Sequence, residues 1–429
     1  MNWKIKGNNR ALKGDINVPP DKSISHRAIM FGAISRGKVR VKNFLFAEDC
    51  MRTFQAFRAM GCQIERDGDD VLVVGAGLGG LRAPDKELYL GNSGTTMRII
   101  SGIIAGCGIP ATLTGDESLS RRPMGRIIDP LKKMGVIVSA QKGGLPPLRI
   151  EKSSKTLNSI AYKTPVASAQ VKSCILSAGL YASGETSVTE PFQSRDHTER
   201  ILRHFSADIE CDGLTTKIRG MKELVPSDIT VPGDISSAAF FMVGASVIEG
   251  SDIVLKSVGL NPTRRGIIDV MLRMGANITI IEERGSVERE GDIRIKASAL
   301  KGTIVQEEEI PLLIDEVPIL IIAALSASGE TRISGVSELK VKESDRVKCM
   351  TENLARMGYE IFEDNGDLVI PGGQKDIKNA DFDSHGDHRI AMSMAMASLK
   401  AAGESVVKDT SCVDTSYPGF IKDLEGLRK

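Results

Sequence analysis

The chain is poor in aromatic residues, which make up 4% of its 429 positions and include a single tryptophan. So few ring faces disfavour the stacked-base surface of a single-strand nucleic-acid binder. Net charge is scarce as well, at +1, so no global field draws the chain toward nucleic acid or an anionic membrane. Any anion site must therefore be local. The seven cysteines are odd in number and scattered, with no Cys-x-x-Cys pair and no His/Cys cluster. That pattern reads as reduced thiols in a cytosolic protein, with neither a disulfide frame nor a zinc site. Long apolar runs are missing too. The stretch 317–325 is too short to span a bilayer, and Met1-Asn2-Trp3-Lys4-Ile5-Lys6 shows no apolar signal region. A soluble cytoplasmic protein is the expectation.

What is present is ordinary globular composition, 41% apolar and 26% charged, in a chain too long for one core. Two domains are expected. The most informative feature is a duplication. Asp15-Ile16-Asn17-Val18-Pro19-Pro20-Asp21 is echoed by Asp228-Ile229-Thr230-Val231-Pro232-Gly233-Asp234. Each copy reads as a short strand stopped by proline and aspartate, then a helix start; ordinary strand ends are the alternative. The first copy is followed by Lys22-Ser23-Ile24-Ser25-His26-Arg27, the second by the bland Ile235-Ser236-Ser237-Ala238-Ala239-Phe240. Equivalent positions that differ so much in charge point to a site built asymmetrically between similar halves.

A finer period lies beneath. A helix ending in Met-Gly, followed by two strands, recurs at Met60-Gly61, Met134-Gly135, Met274-Gly275 and Met357-Gly358, with Phe205-Ser206 as a degenerate copy. The glycine suits a left-handed helix cap. Helices rich in Ala, Ser and Gly are expected to start near Ser25, Thr95, Ala169, Ser236, Glu316 and His388. A spacing of roughly 70 residues exceeds common solenoid repeats, so two compact three-unit domains are expected. The last unit runs out at Lys429 before its strand pair, and the N-terminal strands around Ile5 and 12–18 are expected to supply it. This divides the chain into residues 20–232 and residues 1–19 plus 233–429, with crossovers at the two Val-Pro segments. Proline there would stiffen a hinge.

Six polar helix N-termini facing one cleft would each favour an anion by about 0.3–1 kcal/mol, too little to hold a phosphate dianion against water. Fixed cations are needed, and the planar fork of arginine suits phosphate and carboxylate. Candidates lie beside special turns. The glycine loop Gly91-Asn92-Ser93-Gly94-Thr95-Thr96-Met97-Arg98 opens a helix; it either admits a ligand at Gly94 or only turns the chain. Ser120-Arg121-Arg122-Pro123 is a candidate cation pair or a solvated surface pair. Lys342-Glu343-Ser344-Asp345-Arg346 reads as a site or as a solvated helix start with local ion pairs, and Asp387-His388-Arg389 as a site or a structural cap. Asp315, just before the apolar run, is either a helix cap or a base for a substrate hydroxyl.

Taken in order, Asp21 to Arg27, Gly91-Asn92-Ser93-Gly94-Thr95, Arg122-Pro123, Ser168-Ala169-Gln170, Lys342 to Arg346 and Asp387-His388-Arg389 resemble the 5-enolpyruvylshikimate-3-phosphate synthase family along essentially the whole chain. Ser194-Arg195-Asp196-His197-Thr198-Glu199 is similar to its class II branch. The resemblance implies a two-domain inverted α/β barrel of six βαβαββ units, three per domain, with the active site in the interdomain cleft. It implies transfer of the carboxyvinyl group of phosphoenolpyruvate to the 5-hydroxyl of shikimate 3-phosphate, on the route to chorismate and aromatic amino acids. No metal or organic cofactor is implied, and the partners are the two small-molecule substrates acting on a monomer, with no nucleic acid or membrane.

The same resemblance assigns Lys22, Ser23, Arg27, Ser168, Gln170, Ser194, Arg195, Asp315 and Lys342 to shikimate 3-phosphate. It assigns Lys22, Gly94, Arg122, Gln170, Arg346 and Arg389 to phosphoenolpyruvate. Asp315, Glu343, Lys22 and His388 are the implied catalytic group, Asp315 as proton acceptor, Glu343 and Lys22 beside the vinyl C3 proton, and His388 in support. One departure stands out: Thr415 occupies the place where some relatives carry a substrate-binding lysine. The sister transferase acting on UDP-N-acetylglucosamine has Lys-Asn in the first motif and a reactive cysteine in a later loop. Here Lys22-Ser23 stands in the first, and 115–125 holds no cysteine. A non-catalytic anion-binding scaffold would need the arginines but not Asp315, Glu343 and Lys22 together.

Overall fold

A computed structural model describes residues 1–373 and 378–428. The chain divides into two compact units, Pro20–Val231 and Met1–Pro19 with Pro232–Lys429, each with its own apolar core. Among the described residues no helix is long and apolar enough to cross a membrane.

Each unit has an inner layer of three helices. Lys22–Ile34, Gly94–Cys107 and Ala169–Gly179 belong to the first unit; Ile235–Val247, Val317–Ser326 and His388–Ser398 belong to the second. Their residues are buried almost all round, which explains the Ala, Ser, Gly and Ile composition and the absence of a polar face. Five of the six are capped by the side chain just before them: Asp21, Ser93, Ser168, Asp234 and Asp387 each accept a backbone N–H from the first turn. Each cap contributes about 1 kcal/mol. The Val317–Ser326 helix has no side-chain cap and begins on Val317-Pro318, where proline needs no N–H partner.

Among the described residues the two units hold five four-stranded sheets of one design, a three-stranded sheet, and a two-stranded pairing of Leu157–Asn158 with Ala182–Ser183. In each of the four-stranded sheets a leading strand pairs in parallel with the next, which then pairs with an antiparallel hairpin. The duplicated segments are where this pattern is exchanged. Lys13–Asn17 leads into the first unit's helix, yet pairs in parallel with Asp252–Gly259 of the other unit, Ile16 opposite Leu255. Ile229–Thr230 leads into the second unit's helix, yet pairs with Arg36–Lys42 of the first, Ile229 opposite Val41. The expectation that both N-terminal strands complete the last unit is therefore half wrong. Trp3–Gly7 does so, antiparallel to Gly403–Lys408 with Ile5 opposite Ser405. Lys13–Asn17 instead fills the edge left vacant because Ile229–Thr230 is used elsewhere, and the sixth sheet stays at three strands.

The Met-Gly caps take the conformation their sequence calls for. Gly61, Gly135, Gly275 and Gly358 have φ between 86° and 94°, and the degenerate copy, Ser206, has φ 60°. A side chain in that region costs about 1–2 kcal/mol. Ser206 is exposed, so Ser206→Gly should stabilise the protein by about 1 kcal/mol, read as a higher denaturant midpoint at unchanged slope. An unchanged or lower midpoint would show that the serine side chain contributes something the backbone angle does not reveal.

Candidate active site

In the Pro20–Val231 unit, three helix starts carry the polar groups. Lys22 pairs with Asp49 at 3.0 Å, both largely buried. Arg27 is 2% exposed and donates to Thr198 Oγ1 at 2.7 Å, Ser173 Oγ at 2.9 Å and the Ser23 carbonyl at 3.0 Å. A buried chain runs from His26 Nδ1 to Thr53 Oγ1 at 2.6 Å, on to Thr96 Oγ1 at 2.7 Å, and from there to Ser93 Oγ at 2.7 Å. Burial first, then the nearby Lys22 and Arg27 charges, push the His26 pKa well below the ordinary histidine value. The ring is neutral and serves as a fixed strut between the first helix and the glycine loop.

That loop gathers two guanidinium groups. A Cβ placed on Gly94 would lie 2.7 Å from Arg98 Nη1 and 3.3 Å from Arg122 Nη1. Arg122 is held by the Asn92 side chain and by Ser118 Oγ at 3.0 Å. Its neighbour Arg121 is exposed and pairs with Glu117, so the two halves of the Arg-Arg pair face opposite ways. Gln170 links the next helix to this loop, accepting from Arg98 at 2.7 Å and donating to Thr95 at 2.9 Å. Beyond it, Glu190 accepts the Ser168 backbone N–H at 2.9 Å and the Ser194 hydroxyl at 2.8 Å. Its charge is met by Lys172, which lies 2.7 Å from Glu190 and 2.8 Å from Glu199, all three buried. Burial works against the lysine charge, yet Glu199 and Glu190 together hold its pKa above the usual value. Ser23 and Arg195 are half-buried nearby in sequence to these groups.

In the other unit, Arg346 is the hub. It is 2% exposed and donates to Asp387 Oδ2 at 2.9 Å, Asp315 Oδ1 at 3.1 Å and Glu343 Oε2 at 2.7 Å. Lys342 Nζ reaches Asp315 Oδ1 at 4.0 Å. Burial opposes the Arg346 charge, but the carboxylates raise its pKa, so it stays cationic. Asp387 also caps its helix through the Arg389 N–H at 2.8 Å and accepts from Ser344 at 3.1 Å. Arg389 donates to the Ser236 carbonyl at 3.0 Å and lies 5.9 Å from the Phe240 ring centre. His388, beside it, is 4% exposed. Asp315 is not a helix cap: its oxygen goes to Arg346, and the cap position falls to Glu316. The second copy of the duplication is not bland either, because Arg264 inserts there, 2.6 Å from Ser236 Oγ and 3.2 Å from Asp234. Thr415 turns its hydroxyl back onto the Cys412 carbonyl at 2.7 Å.

One unit carries an arginine fork between three carboxylates, and the other carries two guanidinium groups over a glycine. The family model for EPSP synthase (3-phosphoshikimate 1-carboxyvinyltransferase) matches residues 6–424. The 3-phosphoshikimate 1-carboxyvinyltransferase of Alkalilimnicola ehrlichii is 49% identical over 414 residues, 96% of this chain and 92% of that protein. This chain belongs to the EPSP synthase family. Among solved structures, EPSP synthase from Acinetobacter baumannii aligns at TM-score 0.89 with 46% identity, covering 100% of this chain and 98% of that one. The enolpyruvyl transferase NikO from Streptomyces tendae aligns at TM-score 0.79 with 19% identity, covering 99% and 96%, a likeness of fold alone. Two similar α/β domains of repeated βαβαββ units are the architecture of EPSP synthases.

Within this EPSP synthase family member, sequence reading missed Asp49, Lys172 and Glu190 as partners of the named residues, and named Asp387 within its motif without its bond to Arg346. Asp387 had a usable signal, an aspartate directly before an apolar helix. Asp49 and Lys172 pair with residues 27 and at least 18 positions away, and Glu190, though four positions from Ser194, meets Ser168 across 22; none carries a local signature.

Proposed function

We propose that the chain transfers the carboxyvinyl group of phosphoenolpyruvate to the 5-hydroxyl of shikimate 3-phosphate, releasing phosphate by addition and elimination. The observation that carries this reading is the Asp315 carboxylate, 18% exposed and held by a buried arginine beside Glu343 and Lys342. A base so placed is oriented by Arg346 and still open to a substrate hydroxyl.

In this proposal Asp315 accepts the hydroxyl proton as the 5-oxygen attacks C2 of the enol. Glu343 and Lys22 handle the proton at C3, and its return to the protein accompanies loss of phosphate. Lys22, Arg122, Arg346 and Arg389 hold the anionic groups of phosphoenolpyruvate; Ser23, Arg27, Ser168, Gln170, Ser194, Arg195 and Lys342 hold shikimate 3-phosphate, and His388 supports the site. Fixed cations need no reorganisation as charge shifts, and excluding water removes the competing nucleophile. The Ser194 to Glu199 stretch supports assignment to the class II branch, and a cytoplasmic monomer completes the reading.

Phosphate release that requires both substrates is the test. Release with UDP-N-acetylglucosamine in place of shikimate 3-phosphate, or none with either, refutes it. Gly94→Ala refines it. The added methyl meets only the ends of two arginine side chains, so the fold should survive. Affinity for phosphoenolpyruvate, and for its mimic glyphosate, should fall about tenfold or more as those guanidinium groups are displaced. Unchanged affinity for both removes Gly94 from the site.

A further inference from the structure

The buried Lys172–Glu190–Glu199 cluster has no part in the chemistry above, yet it touches two residues assigned to shikimate 3-phosphate. Glu190 is 4% exposed and follows the strand Glu185–Thr189. One of its oxygens accepts the Ser168 backbone N–H at 2.9 Å; the other accepts the Ser194 hydroxyl at 2.8 Å and the Lys172 ammonium at 2.7 Å. Ser168 precedes the Ala169–Gly179 helix and Ser194 lies before the His197–His204 helix. A single carboxylate thus fixes the ends of two separate segments relative to each other.

We propose that Glu190, with Lys172 as its counter-ion, is a positioning residue that sets Ser168 and Ser194 for the phosphate of shikimate 3-phosphate. The inference rests on the functional reading above. Two carboxylates and one ammonium leave the cluster with one net negative charge, so it is not built to attract a phosphate; its contribution is geometric. The single proton of the Ser194 hydroxyl points to Glu190 in this structure. When a phosphate oxygen arrives, that proton turns to it, and Glu190 keeps the Lys172 ammonium and the Ser168 N–H, so no buried carboxylate oxygen is stranded. Ser168 Oγ already accepts the Val171 N–H, which directs its own proton away from the helix.

The experiment compares binding of shikimate 3-phosphate with binding of shikimate, which lacks the phosphate, by titration calorimetry. Glu190→Ala should weaken shikimate 3-phosphate by about tenfold or more while shikimate changes less than about twofold. In turnover, KM for shikimate 3-phosphate should rise and kcat should hold within about twofold. A purely structural role would weaken both ligands together, and that result, or no change in either, overturns the proposal. Should Glu190→Ala fail to fold because Lys172 loses its partner, Glu190→Asp keeps the counter-charge while withdrawing the oxygens from both serines. Its retention of the parent preference for the phosphorylated ligand would likewise overturn the proposal. If the parent protein itself does not bind shikimate 3-phosphate, the functional reading fails instead.

Discussion

Asp315→Ala is expected to lower turnover by about a hundred- to ten-thousandfold while leaving the protein folded. The side chain is 18% exposed and does not cap the Val317–Ser326 helix, so the fold should survive its loss. Arg346 retains Asp387 and Glu343. What disappears is a carboxylate that both Arg346 and Lys342 reach. Asp315→Asn separates charge from shape: it keeps the size and one acceptor oxygen but not the basicity, and should be as slow as alanine. The measurement is phosphate release at saturating substrates beside calorimetric binding of shikimate 3-phosphate. Turnover near the parent value in either variant would remove Asp315 from the chemistry.

Arg346→Met should act on both fold and function. A 2% exposed guanidinium with three carboxylate partners is replaced by an apolar chain of similar length, leaving Asp387, Asp315 and Glu343 facing one another. Asp387 is the worst placed, being wholly buried, whereas Asp315 and Glu343 are 18% and 22% exposed and reach solvent. Stranding one buried partner of such a pair costs about 3–5 kcal/mol. Phosphoenolpyruvate should bind too weakly to saturate. Arg346→Lys keeps the charge but cannot reach three partners with one ammonium, so it should recover part of the stability and little of the turnover. Urea unfolding and the KM for phosphoenolpyruvate read the two effects separately; a parent-like value of both would show that Arg346 is not the hub.

Much of the architecture was legible because it repeats. Helices expected near Thr95, Ala169, Ser236, Glu316 and His388 begin within a residue of those positions, and the Met-Gly caps adopt the left-handed angle. The first helix starts at Lys22 rather than near Ser25, since its polar first turn hides the apolar period. Periodicity reports local conformation and the buried face. It does not say that Arg121 turns outward while Arg122 turns in, because that depends on where Asn92 and Ser118 lie. Nor does it show Arg264 reaching Ser236 or Lys172 reaching Glu190, pairings made across 28 and 18 positions of chain. The strand exchange was half visible. The duplicated segment marked both crossings, but nothing within seven residues says which sheet a strand will join.

That exchange has a consequence for synthesis. Every strand partner of the Pro20–Val231 unit has been synthesised once Val231 is made, so this unit can fold early as a continuous stretch. The other unit cannot. Trp3 must wait for Val407, and Lys13 for Asp252, while the finished neighbour is already attached between them. The strand Trp3–Gly7 therefore stays an unpaired edge until Val407 is made, and its exposed Lys4 and Lys6 add charge that discourages misplaced pairing.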